Sequence, residues 1–133
     1  MKRDNEVYSL GNGYSPFVYN SENSLKYCFP VSSGHADLSF DFDISEQDLE
    51  VLKSSLFRFK ALYFLLFYEA QSTFGTGHPN PRKYTAAEFE TCKNKVLYQS
   101  EKWLASYITE FSKNRNLAES HFVSFSKNVF GTE

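Results

Sequence analysis

Apolar and polar residues alternate along "ADLSFDFD" (36–43). Leu38, Phe40 and Phe42 fall on one side, and Asp37, Ser39, Asp41 and Asp43 on the other. A period of two belongs to a strand with one buried face. The preceding "LKYCFPV" (25–31) reads as a second strand. Pro30 cannot donate to a ladder, so this strand is expected to lie at a sheet edge or to end there. "SSGH" (32–35) supplies a turn, which predicts an antiparallel hairpin over 25–43. Upstream, "EVYSL" and "PFVYN" are candidate short strands among the turn signals "GNG" and "SP".

After residue 44 the rhythm changes. Leu49, Leu52, Leu56, Phe59, Tyr63, Leu66 and Ala70 recur every three or four residues, the stripe of an amphipathic helix. Ser45 with Asp48 makes a variant of the capping box, and Ile44 and Leu49 stand where a hydrophobic staple requires them. From Leu62 to Tyr68 the helix is apolar all round, so this half is expected in the core, with Gly75 and Gly77 stopping it. "FGTGHPNPRKY" (74–84) connects to a second helix. Thr85 and Glu88 form its capping box, Tyr84 and Phe89 its staple, and Phe89, Cys92, Val96, Trp103, Tyr107 and Phe111 its stripe. "SKNRN" (112–116) ends it. Asn116 and Glu119 are candidate caps of a last helix carrying Leu117, Phe122, Phe125 and Val129.

The expected fold is α+β, a single domain over 1–133. A small N-terminal antiparallel sheet containing the hairpin 25–43 packs on two long antiparallel helices plus a short C-terminal helix. With 133 residues, 41% apolar and 18% aromatic, the chain is too aromatic for disorder and needs no metal or disulfide staple. Cys28 and Cys92 are its two cysteines. No apolar stretch follows the charged start "MKRDNEVYSLGNGYS", so both read as reduced thiols of a cytoplasmic protein. The longest apolar run, "ALYFLLFY" (61–68), is far short of the ~20 residues of a membrane-spanning helix, and no membrane association is expected.

Charge changes this picture more than composition does. The formal charge is −2, yet Asp37, Asp41, Asp43, Glu46, Asp48 and Glu50 place −6 within residues 37–50, leaving +4 for the rest. Several chemistries compete for these acids. His35, Asp37, Asp41 and Asp43 share one strand face, but neighbours on that face stand about 7 Å apart, too spread for one ion unless the chain bends. Paired carboxylates serve glycoside hydrolysis, yet nothing here marks a sugar cleft. His78 lies in a loop, and His121 reads as a partly buried polar residue. "GNG" lacks the third glycine and the strand-to-helix context of a dinucleotide fingerprint. "NPRKY" (80–84) and "KNR" (113–115) are small basic clusters that a solvated loop and helix end explain, so direct nucleic-acid binding is not expected. No cofactor is expected either.

Crowded like charges repel. The helix dipole offsets this for Glu46 and Asp48, but not for Asp37 and Asp41. A partner with a basic surface accounts for them, because facing charges of opposite sign speed encounter and fix register.

The run "YCFPVSSGHADLSFDFDISEQDLEVLKSS", within residues 27–72, is similar to small cytosolic immunity proteins of bacterial polymorphic toxin and contact-dependent growth-inhibition systems. The likeness lies in a hairpin ending in an acidic strand, the capped "ISEQDL" start and a long apolar helix. It implies a non-enzymatic inhibitor that binds and neutralises a cognate toxin, often a nuclease, by covering its active site or a nearby surface. The residues expected to meet the partner are Asp37, Asp41, Asp43, Glu46, Asp48 and Glu50. Two other readings stay open: a general interaction or adaptor module of phage or regulatory origin, and a small metal-dependent hydrolase using His35, Asp37 and His78. Oligomeric state is left open.

Overall fold

The computed structural model describes residues 6–9, 15–33, 36–73, 83–118 and 120–130. Four strands, β1 (Glu6–Ser9), β2 (Phe17–Ser21), β3 (Ser24–Ser33) and β4 (Ala36–Ile44), form one sheet in chain order, each pair antiparallel. Five helices follow: α1 (Glu46–Ser54), α2 (Leu56–Gln71), α3 (Ala86–Leu97), α4 (Glu101–Asn114) and α5 (His121–Phe130). The class is α+β, as the pattern predicts.

Three local outcomes differ from the sequence expectation. First, β3 is an interior strand and runs straight through Pro30. Its registered pairing with β2 ends at Cys28, while Pro30 stands opposite Ser39 of β4. The missing N–H therefore costs no bond to β2. Second, β2 turns into β3 through Glu22 and Asn23, both at positive φ (51° and 69°), with Ser21 opposite Ser24. This is a two-residue hairpin turn with the left-handed backbone that matches strand twist. A glutamate there hid it from composition rules.

Third, each long helix is divided in two. Ser55 is extended (φ −138°, ψ 105°). It closes α1 and caps α2, its hydroxyl accepting from the Arg58 N–H. Tyr98, Gln99 and Ser100 separate α3 from α4, and the Ser100 hydroxyl accepts from the Trp103 N–H. Leu56, at the first break, is therefore 44% exposed and not part of the stripe. Beyond the second break the stripe changes phase. Leu104, Ile108 and Phe111 are buried, whereas Trp103 is exposed and stacks on Tyr107 at 5.3 Å.

The sheet buries one face. Leu25, Tyr27, Phe29 and Val31 point inward from β3, with Phe40 and Ile44 from β4 and Val18 from β2. Across the ladder, Leu25 meets Ile44, Tyr27 meets Phe42, and Phe29 meets Phe40. Helix α2 runs through the middle of the molecule, and every residue from Ala61 to Leu66 is buried. On its sheet side, the Tyr63 hydroxyl donates to the Pro30 carbonyl at 2.7 Å and Phe59 packs on Tyr8 and Tyr27. On its other side, Phe64 meets Phe111, Phe122 and Phe125 of α4 and α5. Each such ring contributes roughly 1.5–3 kcal/mol by burial. Phe89 of α3 stacks on Phe42 at 4.8 Å and so holds α3 against β4.

The helix ends show why the segments stop where they do. Both predicted capping boxes are present, at Ser45 with Asp48 and at Thr85 with Glu88. Helix α2 ends before the predicted glycines, which lie outside the described residues. The Ser72 and Thr73 hydroxyls donate to the Glu69 and Ala70 carbonyls and satisfy the last turn. Asn116 does not cap α5. It is the left-handed residue (φ 59°) that closes α4, with the Leu117 N–H donating to the Ser112 carbonyl and the Asn116 N–H to that of Lys113. That pair of bonds is a Schellman motif. Glu119 lies outside the described residues.

Candidate functional site

The acidic stretch divides by partner and by burial. On the outer sheet face, register aligns Tyr19, Lys26 and Asp43 in one row and Phe17, Cys28 and Asp41 in the next. The Tyr19 hydroxyl donates to Asp41 Oδ2 at 2.6 Å, and Lys26 Nζ donates to Asp43 Oδ1 at 2.7 Å. Both acids stay exposed, and the Asp43 side chain is 72% exposed. The bond to Asp41, with burial and its negative charge, pushes the Tyr19 hydroxyl up to about 12. The bond to Asp43 raises the Lys26 ammonium.

Two residues beyond β4 the chain enters α1. Glu46 and Glu50 are exposed, and their i, i+4 spacing puts them on one side of that helix. Asp37 stands opposite Ser32 in the β4 register.

Asp48 corrects the expectation of a six-residue surface, because it is buried at 3% exposure. As the third residue of α1 it returns one bond to the Ser45 N–H at 3.0 Å. Its carboxylate turns inward to Lys93 Nζ of α3 at 2.7 Å and accepts the Tyr98 hydroxyl. Lys93 also donates to Glu90 at 3.0 Å. Burial by itself raises the Asp48 carboxyl. Bonds from Lys93, the Ser45 N–H and Tyr98, with the lysine charge, outweigh it and hold the group below its ordinary value. Lys93 is lowered by burial and raised more by Asp48 and Glu90. This acid holds the fold together and is not available to a partner.

The histidine and cysteine chemistry is similarly resolved. His35 and His78 lie outside the described residues. His121 is partly buried, with Nε2 at 2.6 Å from the Tyr68 hydroxyl and its ring among Phe64 and Phe125. Neither Cys28 nor Cys92 is in a disulfide. Cys28 stands on the outer sheet face, and Cys92 is in the core, where burial pushes its thiol up. Among the described residues no group of three or more His, Cys, Asp or Glu is arranged to hold a metal ion. No helix there is long and apolar enough to cross a membrane.

The sequence reading missed two clefts because their walls are far apart in the chain. One, of about 360 Å³, lies between α2, α3 and α4 and is lined by Glu69, Tyr84, Glu88, Tyr107, Glu110 and Arg115, among others. Burial raises the Glu69 carboxyl despite the bond it accepts from the Tyr84 hydroxyl at 2.5 Å. The other, of about 480 Å³, is an apolar groove between α4 and α5 bounded by Phe57, Ile108, Leu117, Phe122 and Val123. No protein-family model, curated protein or solved structure matches the chain.

Proposed function

We propose that this chain is an immunity protein, a non-enzymatic inhibitor that binds a cognate toxin domain, a nuclease in the expected case, in the bacterial cytosol. The observation that carries the reading is the division of the acidic stretch. Asp48 is sequestered with Lys93, while Asp41, Asp43, Glu46 and Glu50 remain exposed from the end of β4 into α1. The fold's own need for a carboxylate is met by one residue, and four others present negative charge outward. A basic toxin surface fits that edge, and its attraction speeds encounter and fixes orientation. The reading assigns the protein no chemical step.

The test is binding to the product of the neighbouring gene, with the double charge reversal Asp41→Lys, Asp43→Lys. Affinity is expected to fall by at least about tenfold, with a steep loss as salt rises. Unchanged affinity in a variant of native circular dichroism removes the acidic edge from the mechanism.

A further inference from the structure

The outer edge of β4, which no further strand covers among the described residues, sits beside these carboxylates. We infer that it is a docking seam, to which an extended partner segment carrying Lys or Arg at alternate positions adds as a fifth strand. This deepens the toxin-binding reading and rests on it for the basic character of the partner.

β4 is last in the sheet order, and among the described residues its only strand neighbour is β3. Its nine residues pair with β3 without a register shift from Ala36 to Ile44. In an antiparallel ladder alternate residues direct their N–H and C=O groups away from the neighbour. An edge strand therefore offers a row of donors and acceptors to any chain that can lie along it.

Edges are commonly blunted by shortness, proline or a bulge. The opposite edge, β1, is blunted in this way, its pairing with β2 being irregular between Glu6 and Tyr8. β4 has none of these protections: it is long, regular and free of proline. Its distinguishing feature is charge. Asp41 and Asp43 stand on its solvent face, and the groups that hold them, Tyr19 and Lys26, lie on the β2–β3 side. A second copy of β4 laid alongside would bring carboxylates against carboxylates, which is unfavourable across strands, whereas Lys or Arg there is favourable. The seam thus rejects self-pairing and selects a basic strand.

The other face of the strand specifies the remaining positions. Leu38 has the inward parity yet is 41% exposed, whereas Phe42 is already packed by Phe89 and Tyr84. An incoming strand with apolar residues at the alternate positions would cover Leu38. The preferred segment therefore alternates basic and apolar side chains, with backbone bonds supplying affinity and side chains the selectivity.

The probe is a nine-residue peptide of alternating Lys and Val, titrated into 15N-labelled protein. Two partners share its charge but carry N-methyl groups on alternate residues, in one phase or the other. The unmodified peptide is expected to slow amide exchange along β4 by at least about tenfold, and methylation in one phase to weaken binding by at least about tenfold. Equal binding of all three peptides overturns strand addition while leaving the acidic surface as the contact. No binding by any of them also overturns the seam, and the Asp41→Lys, Asp43→Lys measurement on the toxin then judges the acidic surface separately.

Discussion

Asp48 Oδ2 and Lys93 Nζ lie 2.7 Å apart across 45 residues of chain, both side chains almost wholly out of solvent. The pair joins the first turn of α1 to the body of α3, and Tyr98 adds a bond from the break before α4. It is the point where the acidic stretch, exposed at Asp41, Asp43, Glu46 and Glu50, is anchored to the helical half of the molecule.

Removing one partner of a buried pair typically costs about 3–5 kcal/mol, and loss of Asp48 leaves Lys93 with only the exposed Glu90 carboxylate. Asp48→Ala is therefore expected to lower the unfolding free energy by about 3 kcal/mol or more in urea titrations. The double variant Asp48→Leu, Lys93→Met leaves no stranded charge and is expected to recover most of that loss. Equal destabilisation of the single and double variants would show that packing, not charge, is the issue at this site.

Two carboxyls respond to pH in opposite directions. Asp48 is held below its ordinary value, so its contribution is present above about pH 4 and fades as pH falls through the folded value. Lys93 is raised, so its share persists below about pH 10 and is lost as pH rises through the folded value. Glu69 is raised by burial, so what it contributes is present below about pH 4 and lost as pH climbs through its folded value. Stability curves should show this directly. Asp48→Asn should flatten the acid limb, and Glu69→Gln should hold or raise stability at neutral pH while keeping an acceptor for Tyr84.

Asn116 tests the closing turn of α4. Its backbone is left-handed (φ 59°), and the two bonds around it satisfy the Ser112 and Lys113 carbonyls. Glycine adopts that conformation without a side-chain clash, and a β-branched residue does so poorly. Asn116→Gly is expected to be neutral or slightly stabilising, and Asn116→Val to cost about 1–2 kcal/mol. Thermal unfolding of the pair measures both. Equal midpoints would place the energetic origin of this turn elsewhere.

Much of the architecture was legible because its causes are local. The alternation in 36–43 produced β4 with Phe40 buried and Asp41 exposed. The boxes at Ser45 and Thr85 started helices where their spacing required, since a cap and its third residue meet within one turn. The apolar run after Leu62 became the buried centre of α2. Where the reading failed, the missing information was geometric. A seven-residue gap between Val96 and Trp103 fits a continuous helix and also two helices of different phase. The break at 98–100 became visible only once Leu104 and Ile108 were seen to be buried and Trp103 exposed.

For the candidate site the sequence determined how much negative charge lies between residues 37 and 50, and which of it shares a strand or helix face. Only the tertiary structure decided that Asp48 turns inward while Asp41, Asp43, Glu46 and Glu50 stay at the surface. The reason is physical. A carboxylate leaves water only where a compensating charge and donors meet it, and those of Asp48 include Lys93 and Tyr98, brought alongside by the packing of α3 on α1. Hydrophobic period and caps act over a few residues, whereas the burial of a charge depends on where distant parts of the chain come to rest.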